Sequence, residues 1–308
     1  MVDRRTAVAL VAALAATVAV DGVALSRVDH GQLGPAALAA PASDATAHGP
    51  AHNVAPSWTA GHSARPDQAL LPRPGRTAWT TASVATVWIR PERARRVDRP
   101  ALAAHPDINR WLSNQTIAQR VDLDRRVMTQ SVQGEQVTVV RQRGAWSKVR
   151  LPQQRGSYYR RGIVGWVPTH QLSAVAQHRS APFQRTRRPT GTSVVGIARH
   201  YLGVRYLWGG MTNRGIDCSG LTYRVYRGVG VTLPRDAADQ ARHGHAVRRR
   251  QLRVGDLVFF GSAGWRSIHH VGVYAGNGMV LHAPHTGTRV RLTPLTAWPD
   301  YWGARRYV

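Results

Sequence analysis

A chain of 308 residues that is 43% hydrophobic is long enough for two modest cores and too apolar to remain disordered throughout. Its single cysteine excludes an internal disulfide, so stability rests on packing and no oxidising compartment is required. The net charge of +26 comes almost entirely from arginine, with Lys148 the sole lysine. It points the surface toward polyanions, although a coding bias for arginine and alanine would produce the same charge with no partner at all.

The chain begins MVDRRTAVALVAALAATVAVDGVALS, with two arginines, an apolar run from Thr6 to Val20, and small residues around Ala24 and Ser26. That order predicts a secretory signal over 1–26 and a secreted, cell-wall-associated product of a bacterium. The run is short for a membrane span, so membrane contact is expected only if the leader stays uncleaved. With a secretory start, anionic wall polymers outrank nucleic acid, which would call for aromatic residues interleaved in the basic runs. Residues 27–78, rich in Ala, Pro, His, Ser and Gly and without a sustained period, are predicted to be a disordered linker.

Over 79–175 the pattern turns to short β-like runs, SVATVWIRP, EQVTVVRQRGAWSKVRL and GIVGWVPTHQL. Val137 and Val139 alternate with Thr138 and Val140, and RGAW supplies a turn. Between the first and second runs an insertion over 93–126 has partial helical spacing at Ile108, Trp111 and Leu112. The three runs, with the step at Gly165–Trp166, resemble a bacterial SH3-like barrel, a module that tethers exported wall enzymes. Trp146 and Trp166 are read as core in preference to a ligand groove. A second basic, Pro-containing linker over 176–190 leads into the last segment, 191–308.

That segment opens with a predicted helix, TGTSVVGIARHYLG, with Thr192 or Ser193 as cap and Gly203 as its stop. A glycine-bearing loop follows, and helical spacing resumes at Cys218, Leu221, Thr222, Val225 and Tyr226, which places the thiol in the first turn. Unpaired N–H groups and the dipole at a helix start favour a thiolate and predict a lowered thiol pKa. The neighbouring Asp217 opposes this, so a cationic partner is required. Downstream, DLVFF, HHVGVYA and MVLHAP read as strands with a hairpin at Gly276–Asn277–Gly278, which puts His269 or His270 beside His282. A two-residue loop pairs His282 with the face of His269, and a three-residue loop pairs it with the face of His270. Either arrangement supplies a nucleophile, a base and a second ring to orient the base. His269, His270, His282 and His285 cluster in sequence, but the absence of an H-E-x-x-H pattern and of a companion carboxylate argues against a metal site.

Taken together, YLWGG, DCSGLTYRVY, LPRDAADQA, GDLVFF, HHVGVYAGNG and LHAPHTG resemble the NlpC-type cell-wall cysteine peptidases over about residues 191–308. The resemblance implies an α+β, papain-like catalytic domain in which a helix bearing the cysteine packs on an antiparallel sheet, preceded here by the small all-β SH3-like barrel. It implies Cys218 as nucleophile, His270 as general base and His282 as the ring that orients it, which selects the longer loop. It further implies Tyr206 near the oxyanion or substrate, and Asp217 and Ser219 in recognition of the stem peptide; the charge of Asp217 beside the thiol is read here as meeting a cationic group of the substrate, such as a free N-terminal amine. The implied substrate is a peptidoglycan stem peptide, cut between the γ-carboxyl of D-glutamate and a diamino acid, with no metal or organic cofactor. Departures from the family pattern are small: His269 duplicates the base position, and Asp236 stands where a hydroxyl residue is common. The competing expectations are an amidase or acyltransferase using the same residues on another substrate, and a wall-binding protein without catalysis.

Overall fold

The computed structural model describes residues 71–176 and 189–308. The predicted leader (1–26), all but the end of the predicted spacer (27–78), and the basic linker (176–190) except its termini lie outside the described residues.

The amino-terminal part follows the predicted runs. Strands β1 (Thr77–Thr80) and β2 (Val84–Trp88) precede the insertion, and β3 (Val127–Val132), β4 (Gln136–Arg143), β5 (Trp146–Leu151), β6 (Ile163–Pro168) and β7 (Leu172–Ser173) follow it. The predicted turn is present, since Arg143 pairs with Trp146 across Gly144, whose φ of 54° suits glycine. Val137 and Val139 face inward as their alternation requires.

The insertion folds as three short helices, α1 (Arg99–Leu102), α2 (Ile108–Ser113) and α3 (Ile117–Val121). Side-chain caps start two of them: Asp107 accepts from Arg110 N, and Thr116 accepts from Gln119 N. Ile108, Trp111 and Leu112 are all fully buried, in one cluster with Trp88, Val127, Trp166 and Leu207. Trp166 is therefore core, as expected.

The strand order is β3-β2-β6-β5-β4-β1-β7, and β3 does not pair with β7. Among the described residues no sheet closes, so the expected barrel is corrected to an open antiparallel sheet. The helices of the insertion pack on the Trp88–Trp166 face of this sheet and bury it with Ile108, Trp111 and Leu112.

The carboxy-terminal part begins with α4 (Gly191–Arg199), whose cap is Thr190, in a capping box with Ser193, rather than Thr192 or Ser193. The short pair β8 (Met211–Thr212) and β9 (Gly215–Ile216) leads to α5 (Cys218–Gly228) and α6 (Ala237–Gln240). Strands β10 (His245–Val247), β11 (Leu257–Gly261), β12 (Ile268–Gly276), β13 (Met279–His282), β14 (Arg291–Pro294) and β15 (Tyr301–Arg306) form an antiparallel sheet in the order β10-β15-β11-β12-β13-β14. One core joins Val194 and Ala198 of α4, Leu221 and Val225 of α5, and Leu257, Phe259, Val271 and Val273 of the sheet. The fold is α+β, with helices against one face of an antiparallel sheet.

The described residues form one compact unit, and β3 abuts the loop that precedes α5. Gly209, at φ 75°, marks the contact: a Cβ there would lie 2.9 Å from Val127 Cγ1 and 3.1 Å from Thr129 Cα. Met211 N donates to Gln130 Oε1 at 3.0 Å, Trp208 Nε1 donates to Val127 O at 3.2 Å, and Arg227 pairs with Glu135 at 3.1 Å.

Candidate active site

The cysteine stands at the first position of α5, as its spacing predicts, and Asp217 is the N-cap. Asp217 Oδ1 accepts from Gly220 N at 2.6 Å, closing the first turn, while Oδ2 accepts from Gly209 N at 2.8 Å. The same carboxylate is gripped by the fork of Arg235, with Nη2 to Oδ2 at 2.7 Å and Nη1 to Oδ1 at 3.2 Å. Arg235 is itself buried, donates from Nη1 to Ser219 Oγ at 2.8 Å, and reaches Thr129 Oγ1 on β3 at 3.0 Å. The carboxylate that the sequence offers to a substrate cation is thus occupied by Arg235, and Ser219 is held in the same network. Both residues fix the helix start on which the thiol rides.

Cys218 is 8% exposed, and its charged form is disfavoured. Burial pushes the thiol up to about 12, and the Asp217 charge adds to the rise; the N–H groups of Val271 and Ser219 and the Arg235 guanidinium pull the other way without prevailing. The expectation that the helix start lowers this pKa is corrected, because the loss of solvent and one adjacent carboxylate outweigh the amide dipoles. Val271, which approaches the sulfur, immediately follows His270 in β12. Among the described residues no hydrogen bond joins the sulfur directly to a histidine ring, and the main chain of Val271 places the sulfur next to the strand that carries His270.

The histidines meet on one face of the sheet. Val273 pairs with Leu281, so His282 lies across from Gly272, and His270 is two residues along β12 on the same side. The loop that achieves this differs from the expected three residues. Gly276 pairs with Met279 around a two-residue turn at Asn277 (φ 50°) and Gly278 (φ 70°), and a register shift between Tyr274 and Gly276 supplies the extra residue. A bulge therefore does what a longer loop was expected to do. Gly272 makes room for the pair, since a Cβ there would lie 3.0 Å from His282 Cβ and closer still to Val280.

His270 Nε2 and His282 Nδ1 are 2.8 Å apart, and His282 Nε2 is 2.9 Å from Thr293 Oγ1. Proton counting gives this chain a direction. If His270 Nε2 donates, its Nδ1 carries a lone pair, His282 Nδ1 is the acceptor, and His282 Nε2–H donates to Thr293. Burial holds His270 well below the ordinary histidine range, and burial with the Arg291 charge brings His282 down to about 4. Both rings are neutral at pH 7, which is the state the chain requires. Trp298 stacks on His270 with ring centroids 5.0 Å apart and planes 8° apart, and it meets His282 edge-on at 5.2 Å. His269 turns away from this pair and contacts Asp300 at 2.8 Å.

Tyr206 is buried, and its phenol is raised well above its usual range, first by burial and then by the charges of Cys218 and Asp217. Asp124, in the turn after α3, contributes to the same rise. Its Oδ1 is buried with no hydrogen-bond partner among the described residues, and burial raises its own pKa. Sequence reasoning missed Asp124, Thr293 and Trp298 as parts of the site, and it saw Arg235 only as a motif neighbour. Arg235 carries no mark that separates it from the other arginines, whereas the unexplained insertion was the one available pointer to Asp124.

Comparison with known proteins agrees with this geometry. Residues 203–306 match the NlpC/P60 family. A γ-D-glutamyl-L-lysine dipeptidyl-peptidase of Bacillus cereus is 28% identical over 302 residues, covering 75% of this chain and 91% of the relative. A probable endopeptidase, an NlpC homolog of Haemophilus influenzae, is 36% identical over 137 residues, covering 42% of this chain and 70% of the relative. The crystal structure of an NlpC/P60 family protein from Bacillus cereus superposes with a TM-score of 0.68 at 26% identity, covering 75% of this chain and 99% of that one.

Proposed function

Because the chain belongs to the NlpC/P60 family, we propose that it is a cysteine peptidase of the cell wall that cleaves peptidoglycan stem peptides between the γ-carboxyl of D-glutamate and the following diamino acid. The observation that carries the reading is the relay from His270 through His282 to Thr293, built beside the only cysteine. With His270 Nε2–H donated to His282, the Nδ1 lone pair is the group that accepts the thiol proton as sulfur attacks the carbonyl carbon. With the thiol held high and the imidazole low, the resting site favours the neutral pair, and the proton passes to His270 as the sulfur attacks. The N–H groups at the start of α5 face the developing oxyanion, with Tyr206 beside them. The tetrahedral intermediate collapses as His270 Nδ1–H protonates the departing amine. Water, deprotonated by the same nitrogen, then hydrolyses the thioester and restores the thiol.

Cys218→Ala should abolish cleavage of L-alanyl-γ-D-glutamyl-diamino acid peptides, and His270→Ala should reduce it at least about 10³-fold. Mass spectrometry of wild-type products should show a free diamino acid amine. Full activity of Cys218→Ala would remove the thiol mechanism, and a cut at any other bond would remove the substrate assignment.

A second reading concerns where on the stem the enzyme begins. The Bacillus cereus relative is named a dipeptidyl-peptidase, an activity that needs a free amino terminus. The partner-free Asp124 oxygen, close enough to act on Tyr206, offers the negative charge such an ammonium would seek. This favours release of an N-terminal dipeptide over internal cleavage. Asp124→Asn should raise KM about 10-fold or more for peptides with a free N-terminus and leave N-acetylated ones unchanged; equal effects on both would return the assignment to an endopeptidase. The leader over 1–26 and the strand pattern of 79–175 support export and an SH3-like relationship for the amino-terminal sheet.

A further inference from the structure

Away from the catalytic sulfur, a concavity of about 470 Å³ opens where the helical insertion meets the loop before Tyr206. Asn109, Arg205, Asn213, Arg214 and Arg289 line it, and no carboxylate does. Arg205 and Arg289 face each other across an isolated antiparallel bridge, an arrangement of like charges that costs free energy unless something negative lies between them. Among the described residues neither is paired with an acid. Arg205 Nη1 donates to Ser113 Oγ at 2.9 Å, and Arg289 Nη1 donates to Gly203 O at 2.8 Å, so both guanidinium groups are held in place with N–H bonds to spare. Arg120 of α3 stands close enough to feel the Arg205 charge, and its Nε is buried with no partner among the described residues. Elsewhere several buried or partly buried arginines are paired with carboxylates: Arg95 with Asp98, Arg126 with Asp122, Arg227 with Glu135, Arg235 with Asp217 and Arg306 with Asp256.

We infer that this cleft is a binding site for the phosphodiester groups of an anionic wall polymer. Guanidinium forks approaching from three residues exceed what the two coplanar oxygens of a carboxylate can accept, whereas a tetrahedral phosphate presents acceptors in several directions. The volume admits more than one repeat of a polymer. Since Arg205 directly precedes Tyr206, a polymer seated here would hold the enzyme beside the wall without entering the catalytic cleft. The polymer's identity rests on the proposed wall function, whereas the phosphate chemistry does not.

The test uses the full chain and poly(glycerol phosphate), with inorganic phosphate and single-stranded DNA as comparison probes, at 50 and 200 mM salt. Arg214 and Arg289 are exposed, so Arg214→Gln/Arg289→Gln leaves the core untouched. It should weaken polymer binding about 10-fold and reduce the slope of log K against log[salt] by about 1.4 for two lost contacts. An Arg160→Gln/Arg161→Gln control, exposed in the loop between β5 and β6, should leave binding within about 2-fold. Turnover of a soluble stem peptide should be unchanged in both variants, which separates this site from the catalytic reading. Equal losses in the two double variants, or none in the first, would overturn the site. Equal affinity for DNA, or saturation by inorganic phosphate as tight as by polymer, would overturn the assignment to a wall polymer.

Discussion

The two sheets spend their buried polar groups differently. In the carboxy-terminal sheet, His270 and His282 are 3% and 0% exposed and are directed at each other, so the polarity they carry inward is satisfied within the sheet itself. In the amino-terminal sheet the buried polar residues of β3 and its neighbours look outward from their own core into the junction. Thr129 meets Arg235, Gln130 holds Met211 N, Glu135 pairs with Arg227, and Gln153 O accepts from Tyr223. The difference teaches that the first sheet acts as a fixed wall against the second, and that its hydrogen bonds place the helix and loop that carry Cys218.

Three measurements would break or sharpen that contrast. The largest effect is expected for Arg235→Met, which leaves the Asp217 charge buried without its partner and cuts the link to Thr129. Unfolding free energy should fall by about 3–5 kcal/mol in denaturant titration. Arg235→Lys should recover little of it, because a point charge cannot replace the fork. Stability within about 1 kcal/mol of wild type would show that the two sheets are joined by something else.

An intermediate effect is expected for Gly272→Ala, which tests the carboxy-terminal sheet alone. The added methyl crowds His282 Cβ and Val280, so overpacking should cost about 1–3 kcal/mol and kcat should fall about 10- to 100-fold with KM nearly constant. An unchanged kcat would mean that the spacing of the two rings is not critical.

A third effect, confined to one pH window, is expected in acid stability. His282 has a folded pKa of about 4 against about 6.5 unfolded, and His270 shifts in the same direction. Between those values the unfolded state binds more protons, so stability is fully present above about pH 6.5 and declines as pH falls toward about 4. Tm measured across that window should drop in wild type and drop less in His282→Gln. Parallel curves would place the acid sensitivity in other groups.

Much of this arrangement was legible in the sequence because local chemistry dictates it. Cys218 begins a helix because Asp217 caps it and Leu221, Thr222 and Val225 repeat at helical steps, and the strands around His270 and His282 are marked by β-branched runs and glycine turns. What the sequence concealed depends on long-range meetings. The bulge before Gly276 is invisible to a count of loop residues, yet it decides which histidine faces His282. Trp298 stacks on His270 from a separate turn, Thr293 closes the relay from the last strand but one, and Asp124 arrives from an insertion with no catalytic motif. The raised thiol was misjudged because a helix dipole can be read from spacing, whereas desolvation can be read only from packing.

The bridge from Arg235 to Thr129 carries a practical consequence for anyone trimming the chain. A fragment beginning at 191 would keep Cys218, His270, His282 and Thr293, yet lose the acceptor for Arg235 Nε and the surface against which Gly209 rests. Water would enter beside the capping carboxylate, and the first turn of the helix that carries Cys218 would loosen. Such an excised piece would be an unfinished enzyme, in need of its missing half for rigidity more than for anchorage.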